Sequence, residues 1–288
     1  MADHAGFVGL GVMGGPMSQN MSKSFPVLGF DADPARLAAA EGIQKARSAA
    51  EVGRACSVVF LSLPSADVVE EVVLGSGGLG AALRRGSLLV DLSTSLPSVS
   101  RRIAERLAAR GVDFADAPVS GGEGGARSAS LAIMAGADPA VFDRARPYLA
   151  SIGKTAVRVG AVGAGGIAKL VNNMIVASTF AVIAEGMALA VANGVSVTDL
   201  YDAIREGWAG SRVLDVSAPA IAAHQYVPGG TVDMMQKDLS YARVLAAETH
   251  CPIPVTAAAH EVFVAGQAAG LGKNAQPAIY ELWKHTGG

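Results

Sequence analysis

Apolar positions in the first half of the chain fall into short continuous runs. Residues 5–10, 27–31, 57–63, 88–92, 113–116 and 131–135 read as strands, and 14–24, 34–41, 68–74 and 97–110 between them read as helices. Strands that are apolar throughout must be covered on both faces, and the intervening helices supply that cover. The pattern therefore predicts a parallel, doubly wound α/β sheet. It changes at the Gly-rich stretch 159–166 (VGAVGAGG), which marks a boundary. Helical patterning dominates beyond it, at 167–193, 197–206, 231–249 and 255–269. The expected architecture is a doubly wound domain over 1–162 and an all-α domain over 163–288, joined by a long helix at about 166–193.

Residues 174–193 are nearly all apolar and long enough to cross a bilayer. Glu185 interrupts them, Asn172 and Asn173 precede them, and no basic flank sets an orientation. The expectation is a central helix buried in a soluble protein, with no membrane partner.

Composition narrows the class. A chain of 288 residues suits about two domains. With 51% apolar and 17% charged residues it is a packed globular chain and not a disordered one. A net charge of -2, with no basic run longer than the pairs Arg84-Arg85 and Arg101-Arg102, argues against nucleic acid as a partner. Cys56 and Cys251 lie far apart in apolar contexts without metal-ligand spacing. Both are expected to be buried free thiols in a cytoplasmic protein that binds no metal. The amino terminus runs into the first strand without a basic region or cleavage pattern, so no secretory signal is expected.

The candidate chemistry starts at Gly9-Leu10-Gly11-Val12-Met13-Gly14, between the first strand and the first helix. Gly9 permits a tight turn, Gly11 lets backbone approach a pyrophosphate, and Gly14 lets strand and helix pack closely. The N–H groups of Val12, Met13 and the helix start then hold the anion. Asp31 follows Gly9 by 22 residues, at the end of the second strand, where a carboxylate accepts from adenosine ribose hydroxyls and repels a 2′-phosphate. That favours NAD over NADP, with Asp33 left to cap the helix beginning at Pro34. Further on, Ser120, Gly121 and Gly122 form a polar loop after a strand, and in an open α/β sheet ligands bind beyond strand carboxyl ends. They offer a hydroxyl and open backbone N–H groups to a carboxylate. Lys169 and Asn173, spaced i, i+4, share a helix face at the edge of the long apolar segment, where unpartnered polar groups are costly.

Four motifs in order carry a family resemblance: GFVGLGVMGGPM at 6–17, DLSTSLP at 91–97, DAPVSGGEGGA at 116–126 and GGIAKLVNNM at 165–174, with KDL following at 237–239. On these the chain resembles the β-hydroxyacid dehydrogenase family, which includes 3-hydroxyisobutyrate dehydrogenases and tartronate semialdehyde reductases. The resemblance spans nearly the whole chain. It implies a Rossmann-type domain followed by an all-α domain, and reversible hydride transfer between NAD and a small 3-hydroxyacid. Lys169 is implied to be the general acid/base, with its pKa lowered towards neutrality by burial, and Asn173 to orient the substrate hydroxyl or Lys169. Ser120, Gly121, Gly122 and Ser211 are implied to bind substrate. Leu63, Pro64, Thr94 and Lys237 join the glycine loop and Asp31 in holding the cofactor. A homodimer or homotetramer is implied.

Alternatives stay open: an NADH-dependent reductase of an aldehyde acid such as tartronate semialdehyde, a threonate-like sugar-acid dehydrogenase, or a non-catalytic dinucleotide-binding module. The sequence departs from the family pattern in places. Ala129 stands where a Gly is usual before the Ser-Leu pair, and Ala137 where a second Gly is usual. Ala275 replaces a common Asp, and Pro277 a small polar residue. The stretch 207–214 (GWAGSRVL) offers Ser211, and Arg212 as a second carboxylate clamp, to a polar substrate.

Overall fold

The computed structural model describes residues 4–227 and 229–283. Its contacts divide the chain into two units, Met1–Lys169 and Leu170–Gly288. The first alternates β1 (Ala5–Val8), α1 (Gly14–Ser22), β2 (Val27–Phe30), α2 (Pro34–Ala39), β3 (Gln44–Lys45), α3 (Ala49–Ala55), β4 (Val58–Leu61), α4 (Ala66–Leu74), α5 (Leu79–Ala82), β5 (Leu88–Asp91), α6 (Pro97–Ala108) and β6 (Asp113–Asp116). The six strands lie in the order β3-β2-β1-β4-β5-β6, all parallel. All four residues of β1, β4 and β5 are buried, as their apolar runs require, and β5 carries the acid Asp91 into that burial at its end. Phe7 stacks on Phe60 in this core, with ring centroids 6.2 Å apart. This is a Rossmann-type, doubly wound domain.

The sheet is not parallel throughout. After β6 the chain runs through β7 (Val119–Ser120) and the short α7 (Gly122–Arg127) into β8 (Leu131–Gly136), which pairs antiparallel with both β6 and β7. Because β7 follows β6 almost directly and pairs with β8, the chain doubles back as in a hairpin instead of crossing over. Next come α8 (Pro139–Leu149) and β9 (Gly153–Gly160), parallel to β8.

Ala129 lies in the turn between α7 and β8 with φ 52, left-handed backbone that costs a residue bearing a Cβ about 1–2 kcal/mol. Ala129→Gly is therefore expected to stabilise the protein by about 1 kcal/mol, raising Tm by roughly 2–4 °C. An unchanged or lower Tm in a thermal melt would contradict this.

The second unit is helical: most of α9 (Ala164–Ala192), then α10 (Val197–Ile204), α11 (Arg212–Ala223), α12 (Val232–Glu248), α13 (Pro254–Ala268) and a terminal 3-10 helix (Gln276–Trp283). Phe263, Leu239, Met235, Leu214 and Ile279 are central to its core. Ala275 pairs with Thr231 as an isolated bridge and accepts from Ala278 N–H, just before the 3-10 helix. An Asp there would sit where helix caps act, and Pro277 falls in the first turn, where a missing N–H costs little.

Two expectations need correction. Cys56 is buried, but Cys251 is exposed. The long apolar helix is not buried all round: Val171, Ile175, Val182 and Leu189 are exposed, the last two thirds or more so. Among the described residues α9 is the one helix long and apolar enough to cross a membrane. Its inner face nevertheless packs Ala177, Phe180, Ala184 and Met187 into the helical core, as in a soluble domain.

Candidate active site

The carboxyl ends of β1, β4, β5 and β6 carry the loops that place the site in the first unit. A Cβ on Gly14 would collide with the Gly9 carbonyl, so α1 starts against the strand end as no other residue permits. At Gly11 the nearest atom to a Cβ is the flexible Arg36 guanidinium, at 3.4 Å, so the loop keeps open room above its second glycine. Val12 is exposed beside that room, Met13 half-buried. Asp31 closes the loop from below: one carboxylate oxygen accepts from Leu10 N–H at 2.6 Å and the other from Asp33 N–H at 2.8 Å. Asp33 caps α2 by accepting from Ala35 N–H at 2.9 Å.

The loops after β4 and β5 are tied together. Leu63 N–H donates to Ser93 Oγ at 2.9 Å, and Ser93 N–H donates to Asp91 at 2.9 Å. Leu63 and Thr94 are half-buried and Pro64 exposed. Burial pushes the Asp91 carboxyl up to about 7, against the pull of the Ser93 hydrogen bonds and with the help of neighbouring Asp116. Ser95 Oγ is buried with no hydrogen-bond partner among the described residues. Open room above Gly11, a helix amino terminus behind it and this spare hydroxyl fit a dinucleotide with its pyrophosphate on the glycine loop.

Gly121 and Gly122, at φ 136 and 61, turn the chain out of β7 into α7 and leave their backbone exposed beside half-buried Ser120. Asn20, buried in α1, donates to the carbonyls of Ala126 at 2.7 Å and Arg127 at 3.1 Å, tying α1 to the end of α7. Lys169, half-buried, closes the first unit one helical turn before Asn173.

In the second unit, buried Asn173 donates through Nδ2 to Asp238 Oδ2 at 2.6 Å, and its Oδ1 accepts from Asn172 at 3.0 Å. One amide hydrogen and one acceptor position of Asn173 remain for a ligand. Lys237 Nζ stands 3.0 Å from Asp238 Oδ1 and 5.1 Å over the Tyr241 ring. Ser211 Oγ accepts from Leu214 N–H at 3.1 Å as the cap of α11, so its hydroxyl already has a structural task. Arg212 is exposed at the first position of that helix.

Asn20, Asp91, Asp116 and Asp238 were not singled out from sequence. A polar residue between apolar neighbours (Met17, Asn20, Met21) and the acids closing β5 and β6 and standing in the middle of the KDL motif are the available signals. Among the described residues no group of acids, histidines and cysteines is arranged to hold a metal.

The pattern of the NAD binding domain of 6-phosphogluconate dehydrogenase matches residues 4–163, and that of the NAD-binding of NADP-dependent 3-hydroxyisobutyrate dehydrogenase matches 163–283. The 2-(hydroxymethyl)glutarate dehydrogenase of Eubacterium barkeri is 37% identical over 98% of this chain and 95% of its own. The 2-hydroxy-3-oxopropionate reductase of Escherichia coli strain K12 is 35% identical over 90% and 89%. A solved structure of Mycobacterium tuberculosis 3-hydroxyisobutyrate dehydrogenase with L-serine superposes with a TM-score of 0.89, at 33% identity over 98% of this chain and 99% of its own. A Rossmann-type domain with this glycine loop, followed by a helical domain, defines a nicotinamide-dependent oxidoreductase. The chain belongs to the β-hydroxyacid dehydrogenase family.

Proposed function

We propose that this enzyme oxidises, reversibly and with NAD, the primary alcohol of a small 3-hydroxyacid, with Lys169 as the proton-transfer group. The observation that carries the reading is the buried Asn173–Asp238 pair one helical turn beyond Lys169, which holds an amide in fixed orientation with a hydrogen to spare. Three of the relatives' names share one substrate pattern, which L-threonate, in the name of another, does not have. 2-(Hydroxymethyl)glutarate, 3-hydroxyisobutyrate and reduced 2-hydroxy-3-oxopropionate all carry a hydroxymethyl group on the carbon next to a carboxylate. A 2-substituted 3-hydroxypropanoate is therefore the proposed substrate, and the corresponding semialdehyde the product.

The chain's own groups divide the work. The exposed backbone N–H groups of Gly121 and Gly122, with the Ser120 hydroxyl, receive the carboxylate. Asn173 donates to the reacting oxygen, and Lys169 takes the hydroxyl proton in oxidation or returns it in reduction. Gly9, Gly11, Val12, Met13, Gly14, Asp31, Leu63, Pro64, Thr94 and Lys237 hold the cofactor, and Ser211 adds a contact to the substrate from its helix start. When bound, NAD supplies the hydride acceptor. Asp31 favours NAD because a second negative charge beside a nearly buried carboxylate would be repelled.

The test is a panel of 3-hydroxyisobutyrate, glycerate, 2-(hydroxymethyl)glutarate, threonate and L-serine with their aldehydes, followed by NADH and NADPH absorbance. The reading expects turnover of at least one 3-hydroxypropanoate and preference for NADH. Turnover of none, or equal kcat/KM with NADPH, would overturn the substrate or the cofactor part respectively.

We further propose a homodimer or homotetramer. Val171, Ile175, Val182 and Leu189, spaced four, seven and seven residues apart, form one exposed apolar stripe along α9, and a second copy covers it as self-association covers such patches. A monomer's mass by light scattering at assay concentration would exclude this.

A further inference from the structure

Asp116, the last residue of β6, is 2% exposed and uses both carboxylate oxygens on one target. Oδ1 accepts from Gly163 N–H and Oδ2 from Gly166 N–H, each at 2.7 Å. These donors frame the first turn of α9, and Lys169 follows Gly166 by three residues. The packing admits little else. A Cβ on Gly136 would lie 2.5 Å from Asp116 Oδ1, and one on Gly165 would collide with the carbonyls of Met134 and Asp116.

We propose that Asp116 is a positioning residue: it clamps the first turn of α9 to the end of the sheet and so fixes where Lys169 presents its amine. The proposal rests on Lys169 being the proton-transfer group. A local Ser or Asn cap would satisfy helix N–H groups equally well, but it would tie the helix only to its own preceding loop. A carboxylate from β6, 47 and 50 residues away, ties the helix to the strand whose end bears the Ser120 loop.

The clamp is held at some cost. Burial pushes the Asp116 carboxyl up to about 6, against the hydrogen bonds from Gly163 and Gly166 and the attraction of Arg101. Since the folded value lies above the ordinary 3.8, the folded protein binds the proton more tightly than the unfolded chain. The group's contribution to stability is therefore greatest at low pH and declines as pH rises from about 4 through 6. Asp91 on β5 and Arg101 on α6 are the charged groups facing it. Among the described residues β8 and the start of α9 present glycine and backbone there. Below pH 6 the protonated acid sheds the cost of a buried charge but places a hydroxyl, a poorer acceptor, against one of the two N–H donors, so the turn it holds relaxes without the fold being destabilised.

Reduction of a semialdehyde separates this effect from Lys169, because a protonated lysine is the active form in that direction and its loss appears on the alkaline side. With 2-hydroxy-3-oxopropionate and NADH, wild-type kcat is expected to fall as pH drops through about 6. Asp116→Asn keeps the shape but offers one acceptor. It should bind NADH within about twofold of wild type, lose about tenfold or more in kcat and show no acid limb. Labelling of Lys169 by trinitrobenzenesulfonate, read by mass spectrometry, should change about threefold or more in rate, while exposed Lys273 is labelled as before. An unchanged kcat or an unchanged Lys169 labelling rate overturns the proposal. If D116N does not fold, D116E, which displaces the carboxylate from the Gly163 and Gly166 N–H groups, is read in the same way, and an unchanged kcat or Lys169 labelling rate overturns the proposal. If Lys169→Ala itself turns over normally, the fault lies in the role given to Lys169, and the labelling result alone judges the clamp.

Discussion

Lys169→Ala is expected to lower kcat by about 10²- to 10⁴-fold, the usual worth of a positioned acid/base, while NADH binds with near-normal affinity. Lys169 is half-buried at the end of the first unit, so alanine removes buried stem as well as the amine. Lys169→Met keeps the stem and should be as inactive as the alanine variant, which separates lost proton transfer from lost packing. Lys169→Arg keeps the positive charge but cannot release its proton near neutrality. It too should be nearly inactive. Near-normal turnover in the arginine variant would mean that position 169 supplies only charge, and the acid/base role would fall.

The second large effect concerns the glycine loop, where two neighbouring substitutions should behave differently. Gly11→Ala places a methyl group into the open room, touching only the flexible end of Arg36. The apo protein should keep its stability within about 0.5 kcal/mol, as for most surface changes. NADH affinity should fall about tenfold or more, because the methyl occupies the space assigned to the pyrophosphate. Gly14→Ala drives its methyl into the Gly9 carbonyl and should destabilise the fold by about 1–3 kcal/mol before any cofactor is added. Titration of NADH fluorescence beside thermal melts reads both. Full NADH affinity in Gly11→Ala would remove the pyrophosphate from this loop.

What could be read in the sequence follows burial. The strands β1, β2, β4, β5 and β6 stand out because the central ones are buried on both faces and so apolar throughout. β3, two exposed residues, carries no pattern, and β9 exposes Lys154, Thr155, Arg158 and its neighbours in an edge-like run that reads as a loop. Proline hid two helices: Pro147 lies inside α8 and Pro219 inside α11, where the usual rule ends a helix. Glycine hid α7, a helix over GEGGAR that an ion pair between Glu123 and Arg127 reinforces. The glycine loop and the Lys169–Asn173 spacing are local, so the sequence displays both, while the role given to the pair comes from the family resemblance. Asp116 and Asp238 do their work across 47 to 65 residues of chain, and no local pattern records such a pairing.

The long helix gives a different lesson. Its composition alone suits a membrane span, a buried core helix or an interface, since each demands apolar side chains. Its exposed stripe at Val171, Ile175, Val182 and Leu189 emerges only once the rest of the chain has folded around the other face.

The central claim is hydride transfer from the carbon bearing the alcohol directly to the nicotinamide. The most direct measurement uses wild-type enzyme with 3-hydroxyisobutyrate deuterated at the hydroxymethyl carbon, or the corresponding panel substrate turned over fastest, and reads the NADH formed by mass spectrometry. The account predicts one deuterium in each NADH and a slower turnover than with the protium substrate. NADH free of deuterium, or no NADH from any member of the panel, would contradict it.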